Sequence, residues 1–503
     1  MRLYKKSAMN KVKNFFPLGL GLVFPLLLHR QQAGINILIL NLIIIITLYL
    51  LGRLNLKNFL FRLVSIGVLL SGVASTFHGS DLTVAVTSIS LFMLAGLSVS
   101  PDIKILPNSV ITGFIGTITA PTKYVELNST SSSFRVRRSL FYIYLIVIPL
   151  FLVLIFILIY SEASPYYNQV TSGLIKFISD SFADLFKAVS PQAFAIGILG
   201  FITGLLLYFG SMPNLFYLPF ETGQNVLTRE RRQYNGQVYG LKNEMKLAIV
   251  IMFLLNLVLG LMNYLDIYNI WFGFKWDGGL LKQFVHEGTW LLIFSIFVSI
   301  ILVLWIFRGN LNFYKKRGVL VLLTKIWIAQ NLLLAISVGI RNFWYMHYFN
   351  LAFKRIGVYA FLLLVIIGLV TVNLKVQHRK NLRYLIMVNS VAFYIVLLSV
   401  SLINWDKIIS HFNVNRSEKA LFHTDFMLTM DESALPILIE GKEILELNEE
   451  KQNQYFPYRS SFLTLKAFNE KLDFRKKQFV SGYPQMHWLS WNYADYRAYN
   501  KLK

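Results

Sequence analysis

The residues best placed for chemistry gather around one apolar stretch, 319–340, which carries Lys325, Gln330, Asn331 and Ser337 and runs on to Arg341 and Asn342. Gln330, Ser337 and Arg341 are spaced i, i+7 and i+11, so a helix would place them on one face. Glu287 opens the preceding apolar stretch, and Lys354-Arg355 introduce the following one. Three antiparallel neighbours would bring Glu287, Arg341, Lys354 and Arg355 to one level, with Lys325 about 24 Å from Arg341 at the helical rise. Cations beside one carboxylate, backed by the amides of Gln330 and Asn331, would form a pocket for an anionic group such as a phosphate or carboxylate. The plainer reading is a set of ion pairs and snorkelling side chains that hold three helices in register.

A second constellation is His78-Gly79-Ser80-Asp81. His78 and Asp81 could act as an acid/base pair, and with Glu287 they are the candidate catalytic residues. The plainer reading is a tight polar turn with Asp81 at the N-terminus of the next helix. Seven of the eight histidines, His29, His78, His286, His347, His411, His423 and His487, fall in segments on one expected side of a membrane. None forms an HxxxH, HxxHH or HxH pair, so no metal site is expected. There are no cysteines, which excludes disulfides, thiolate metal ligands and cysteine nucleophiles. Phosphate-loop and dinucleotide fingerprints are also absent, and no cofactor is expected.

The elements that must position these groups are membrane helices. The chain is 55% apolar and only 15% charged, well below the charge of an ordinary soluble domain. Segments of about 20 apolar residues, the length that crosses a bilayer, occupy roughly 33–52, 59–77, 81–100, 139–161, 191–211, 245–265, 288–307, 319–340, 357–375 and 384–403. An eleventh, Phe15 to Leu28, follows a basic N-terminal arm and has no small-residue cleavage site after it, so it is read as an uncleaved first span. Residues 105–120 are short and rich in Thr and Gly and are read as re-entrant or interfacial, and 170–189 is read as an amphipathic interfacial helix. The expected architecture is an all-α bundle of about eleven spans, residues 1–403, followed by a small α or α+β tail domain, residues 404–503.

A net charge of +24 could be taken for a nucleic-acid footprint. Its location argues otherwise. Residues 404–503 hold 14 Lys/Arg against 13 Asp/Glu, so the excess lies in the hydrophobic portion. With the N-terminus in the cytoplasm, the inner segments carry 25 of its 35 cations and the outer loops eight. That asymmetry is the positive-inside rule repeated at every inner turn. It predicts a topology with the N-terminus cytoplasmic and the C-terminus extracytoplasmic. The partners expected are the lipid bilayer and an anionic lipid or envelope ligand at the outer face, not nucleic acid.

Three function classes fit this layout. The first is a non-enzymatic scaffold or sensor of the cell envelope. The second is a glycosyltransferase-like membrane enzyme acting on a lipid-linked or anionic substrate from the outer face, for which Asp81 is the early acidic candidate. The third is a transporter or channel. It is disfavoured because no Asp or Glu lies mid-span; Glu244, Asp266 and Glu287 sit at span edges.

Several short runs carry a family resemblance: Glu287-Gly288-Thr289, Phe307-Arg308-Gly309-Asn310-Leu311-Asn312-Phe313, Ile326-Trp327-Ile328-Ala329-Gln330-Asn331, Lys354-Arg355-Ile356-Gly357-Val358 and Asn404-Trp405-Asp406. In these the chain resembles the bacterial membrane family catalogued as domain of unknown function 4173. The resemblance covers most of the apolar region and is strongest from about 280 to 410. It implies a bacterial cytoplasmic-membrane protein and brings no established activity, cofactor or catalytic residue.

Overall fold

A computed structural model describes residues 16–128, 173, 176, 190–211, 218–229, 241–272, 280–456 and 462–503. The expected span at 139–161 and nearly all of the amphipathic stretch 170–189 lie outside the described residues. Among those described there is no β-strand beyond a single isolated bridge, Val226 to Lys380. The helices of the apolar region are α1 (Phe16–Leu28), α2 (Ile35–Leu50), α3 (Phe59–His78), α4 (Asp81–Val99), α5 (Leu106–Asn128), α6 (Pro191–Phe209), α7 (Leu241–Asp266), α8 (Leu280–Ile306), α9 (Gly318–Phe349), α10 (Phe353–His378) and α11 (Leu382–Ser401). A π-helical turn, Ile267–Phe272, extends α7.

Seven of the described helices are long and apolar enough to cross a membrane: α3, α4, α6, α7 with its π turn, α9, α10 and α11. Three shorter apolar helices accompany them, Phe16–Leu28, Ile35–Leu50 and Leu291–Ile306. The first of these packs antiparallel to α6 through small residues. Gly204 lies against Pro17, Gly200 against Leu20 and Phe24, and Gly197 against Gly21 and Pro25. Gly200 and Gly204 form the small-xxx-small pattern that lets helix backbones approach closely without a hydrophobic drive.

Helix α5 contains the stretch 105–120. Its start is held by Glu221, whose carboxylate accepts from the Lys104 and Ile105 amides and from Asn108 Nδ2 at 2.9–3.2 Å. Farther along, Thr119 Oγ1 donates to the Ser211 carbonyl at 2.8 Å, and Ala120 and Tyr124 pack on Leu205 and Phe209. Gly116 lies against Val99 and Leu206. Both its start and its later turns thus meet the C-terminal ends of α4 and α6, which are also the end reached by Arg53 through the Tyr208 and Gly210 carbonyls. Thr119 is thus held at the same end of the bundle as the start of its helix.

The helices bury two apolar cores. One joins α1–α5 and α6, the other α7–α11. Helix α11 belongs to both: Leu385 packs in the second and Tyr394 in the first. Tyr394 is 1% exposed, and its hydroxyl bonds to Ser90 Oγ at 2.9 Å. The ring fits because residue 67 is glycine; a Cβ there would stand 1.9 Å from the Tyr394 hydroxyl oxygen.

Beyond Ser401 the chain forms α12 (Trp405–Asn415), α13 (Thr424–Met427), α14 (Leu435–Glu440), α15 (Lys442–Leu447), α16 (Glu449–Tyr455), α17 (Leu465–Gly482) and α18 (Tyr493–Leu502). They share a separate apolar cluster containing Phe422, Leu435, Phe468 and Leu472, which also takes in Leu351 at the α9–α10 turn. This helical layer covers the ends of α9, α10 and α11 and reaches back to the α3–α4 turn.

Gly67→Ala is predicted to lower thermal stability by about 1–3 kcal/mol, the range for overpacking, despite the better helix propensity of alanine. Tyr394→Phe should lose about 1 kcal/mol for the missing hydrogen bond, and in its background Gly67→Ala should become markedly milder. Unfolding of purified protein in detergent measures both; equal Gly67→Ala penalties in the two backgrounds would refute the wedge.

Candidate functional site

Of the polar residues singled out on α9, Gln330, Ser337 and Arg341 face α7, and the two helices run parallel. Asn256 Nδ2 donates to the Leu323 carbonyl at 3.1 Å, and Asn263 Nδ2 to the Gln330 carbonyl at 3.1 Å. Gln330 Nε2 returns a bond to Asn256 Oδ1 at 3.1 Å. The same offset in sequence recurs a full two turns apart, which only a parallel pair permits; α8, which joins them in the chain, must therefore run antiparallel to both. Asparagine and glutamine suit this work because each amide can give and take a hydrogen bond between helices, where water is scarce.

The ladder ends in a buried ion pair. Asp266 closes α7, and its Oδ1 accepts from Arg341 Nη2 at 2.5 Å with both side chains 5% exposed. Its Oδ2 accepts from Ser337 Oγ at 2.5 Å. Trp271 Nε1 donates to Ser337 Oγ at 3.3 Å, and Trp344 Nε1 to the Ile270 carbonyl at 3.1 Å, so the π turn is stitched to α9 as well. Asp266 is the residue that sequence reasoning passed over. Its place at a span edge hid it, yet its position at the end of the Asn256 and Asn263 stripe was a readable signal.

The remaining candidates are distributed around this pair. Arg355 donates to the Phe349 and Asn350 carbonyls, capping the C-terminus of α9, and its guanidinium stacks 4.4 Å from the Tyr345 ring. Lys354 is exposed. Asn331 is fully buried and donates to the Trp327 carbonyl of its own helix at 2.8 Å, away from the Gln330 ladder. Glu287 belongs to α8, but its side chain lies outside the described residues. Among the described residues, the carboxylate beside Arg341 is Asp266.

His78 and Asp81 occupy a different place, under the C-terminal layer. Gly79 sits in the left-handed region at φ 54°, and a Cβ there would strike the Ala33 carbonyl at 2.3 Å. Ser80 caps α4, and Asp81 takes its first turn, where a carboxylate favours the helix dipole. The turn is therefore a well-formed helix cap. It is also one wall of an acidic junction. Asp406 of α12 is buried and accepts from the Asp431 amide at 3.0 Å. Asp495 of α18 accepts from Asn492 Nδ2 at 2.6 Å. His78 is buried beside Asp406.

These carboxylates crowd one another. Burial, then the charges of Asp406, Asp495, Asp81 and Glu432, push the Asp431 carboxyl up to about 7. Burial is the first cause raising Asp406 and Asp495 as well. Asp431 itself lies at the open rim, where water screens part of the repulsion. Lys407 is held below the usual lysine range by burial and then by Arg497. Among the described residues no three His, Cys, Asp or Glu side chains converge closely enough to hold a metal ion. Such a junction can bind and release protons; nothing in its geometry positions a nucleophile.

Long apolar helices tied by interhelical amides and a buried ion pair define a multi-pass α-helical membrane protein. The chain belongs to the family described as Domain of unknown function (DUF4153), whose sequence model matches residues 20–441. That span takes in the described bundle from α1 onward and the first helices of the C-terminal layer. The match is to a domain of unknown function that covers most of the chain, and it does not confirm the 4173 number. No curated protein and no solved structure matches the chain.

Asp266→Ala or Arg341→Met alone should each destabilise the protein by about 3–5 kcal/mol, because the surviving charge stays buried without its partner. The double replacement Asp266→Leu with Arg341→Met should recover most of that loss. A double-mutant cycle on thermal unfolding in detergent reads the coupling; additive losses would mean the pair is not a structural unit.

Proposed function

We propose that this chain is a non-enzymatic scaffold or sensor of the bacterial cell envelope. It crosses the cytoplasmic membrane about eleven times, with its N-terminus in the cytoplasm and residues 404–503 outside as a helical domain seated on the bundle. The observation that carries the reading is the acidic junction between that layer and the α3–α4 turn. The polar groups inside the bundle support it too, since Gln330, Arg341 and Arg355 are engaged in helix packing rather than lining an open pocket or pore.

The junction gives a sensor its chemistry. Around Asp431 stand Asp406 of α12, Asp495 of α18, Asp81 of the α3–α4 turn and its neighbour Glu432, which pairs with Arg475 of α17 at 2.8 Å; His78 lies by Asp406, and Arg497 and Lys501 of α18 lie by Lys407. An aspartate raised in the folded state keeps its proton where the unfolded chain has lost it. Its favourable contribution is complete below the ordinary value of 3.8 and is lost as pH rises through about 7. The layer is therefore seated more firmly in mildly acidic than in alkaline medium, a range in which an envelope surface is titrated by its surroundings.

A second reading keeps a specific observation on its side. His78, Asp81 and Asp406 lie together at the α3–α4 turn, as an acid/base pair with a supporting carboxylate would in a glycosyltransferase-like enzyme acting on a lipid-linked or anionic substrate. A transporter or channel lined by Gln330 and Asn331 has no comparable support, because one faces Asn256 and the other bonds to its own helix.

Hydrogen exchange across residues 405–502 should be slower at pH 5.5 than at pH 8 after correction for intrinsic rates. Asp431→Asn should slow exchange at pH 8 towards the acidic level and flatten the difference. A pH-independent exchange pattern in the unmodified protein would remove the sensor chemistry. For topology, a tag after Lys503 should be cleaved by protease added outside intact spheroplasts; a protected tag would overturn the orientation.

A further inference from the structure

The C-terminal segment is bonded to the bundle at the level where α2 begins and α3 ends. Ser490 Oγ pairs with Gln31 Oε1 at 2.8 Å, and the Gln32 amide donates to Ser490 Oγ at 3.0 Å. The Ile35 amide, in the first turn of α2, donates to the Trp491 carbonyl at 3.0 Å. Leu489 inserts into the apolar core of the N-terminal helices. The Tyr493 ring stands edge-on to Phe77, in the last turn of α3, at 6.0 Å. Phe77 is itself 54% exposed and continues the outward-facing apolar side of α3.

What surrounds this inserted leucine points outward. Trp488 is 62% exposed, Tyr496 43%, Tyr493 42% and Trp491 38%. On α18, Ala494, Ala498 and Leu502 turn inward. Tyr493, Tyr496, Arg497, Asn500 and Lys503 are all exposed and follow one another at i, i+3, i+4, i+7 and i+10, a single helical stripe. The Arg497 guanidinium lies 5.9 Å over the Tyr493 ring. An aqueous surface gains nothing from two tryptophans side by side with two tyrosines. Aromatic rings with an apolar body and a polar edge, interleaved with cations, match the boundary between acyl chains and phosphates.

We propose that residues 488–503 are an interfacial anchor whose exposed rings lie in the headgroup layer of the bilayer that holds the bundle. The occupant is the phospholipid headgroup layer itself, fixed by continuity with the lipid-facing side of α3 through Phe77. Trp488, Trp491, Tyr493 and Tyr496 supply the amphipathic rings, while Arg497 and Lys503 reach phosphates. The anchor pins α18, and with it Asp495, at a set depth beneath the C-terminal layer. It holds whichever side of the membrane the layer occupies and does not depend on a scaffold or sensor role.

The chain has no cysteine, so a single introduced thiol is labelled uniquely. Nitroxides on Trp488→Cys, Trp491→Cys and Tyr496→Cys, in protein reconstituted into phosphatidylcholine–phosphatidylglycerol vesicles, are tested for collision with oxygen and with a nickel chelate. Calibrated against spin-labelled lipids, all three should lie within about 5–10 Å of the headgroup–acyl boundary. Nickel-chelate accessibility equal to that of a label free in water, at all three sites, would overturn the anchor. Should a cysteine variant fail to fold, intrinsic fluorescence provides the second measurement. Brominated lipids should quench unmodified protein more than Trp488→Phe protein, and equal fractional quenching would also reject the proposal.

Discussion

A polar side chain inside a bundle bathed in hydrocarbon has no water to turn to, so it must find its partner on a neighbouring helix. The parallel contact of α7 and α9 rests on that constraint. Asn256, Asn263, Gln330, Ser337, Asp266 and Arg341 satisfy one another in a stripe that leads from the middle of the helices to their ends. The stripe sets the register of the pair, and the parallel pairing in turn requires α8 to return antiparallel to both. It also brings Arg341 to the turn where Arg355 closes the end of α9. Much of the C-terminal half is placed by these few contacts, while its leucines and valines fill space around them without choosing a register.

The two apolar cores are joined by a different device. Tyr394 crosses from one to the other where Gly67 leaves room for its ring, and Ser90 receives its hydroxyl. At the other end, Arg383 of α11 donates to the Phe220 and Glu221 carbonyls, while Glu221 caps the start of α5. One segment therefore clamps the α4–α5 turn to the α10–α11 turn. Helix α11 is held at both ends of its length, and its C-terminus delivers the chain into the helical layer over the α3–α4 turn.

That layer brings together residues far apart in the chain. Asp81, Asp406, Asp431 and Asp495 come from four separate elements, and their mutual repulsion is tolerated because apolar packing and the Arg475–Glu432 pair hold those elements in place. A carboxylate cluster maintained against its own charge stores a response to protonation. The exposed aromatic stripe of α18 sits on the opposite side of that helix from the inward-facing Ala494 and Ala498, directly after the turn that inserts Leu489 into the N-terminal core.

The sequence by itself determined the positions of the described apolar helices, because hydrophobic length follows from the solvent alone and needs no knowledge of neighbours. It also placed His78-Gly79-Ser80-Asp81 as a capped turn and set 105–120 apart from the spans, since charge bias and local turn chemistry are short-range properties. It could rank Arg341 as costly to bury but could not say what neutralises it. That Asp266 stands beside that guanidinium depends on how α7 and α9 are arranged, which apolar periodicity leaves open. The Gly67–Tyr394 fit and the meeting of four aspartates were equally invisible. A missing Cβ and a shared electrostatic field have meaning only when distant segments occupy the same few ångströms, and tertiary packing alone decides that.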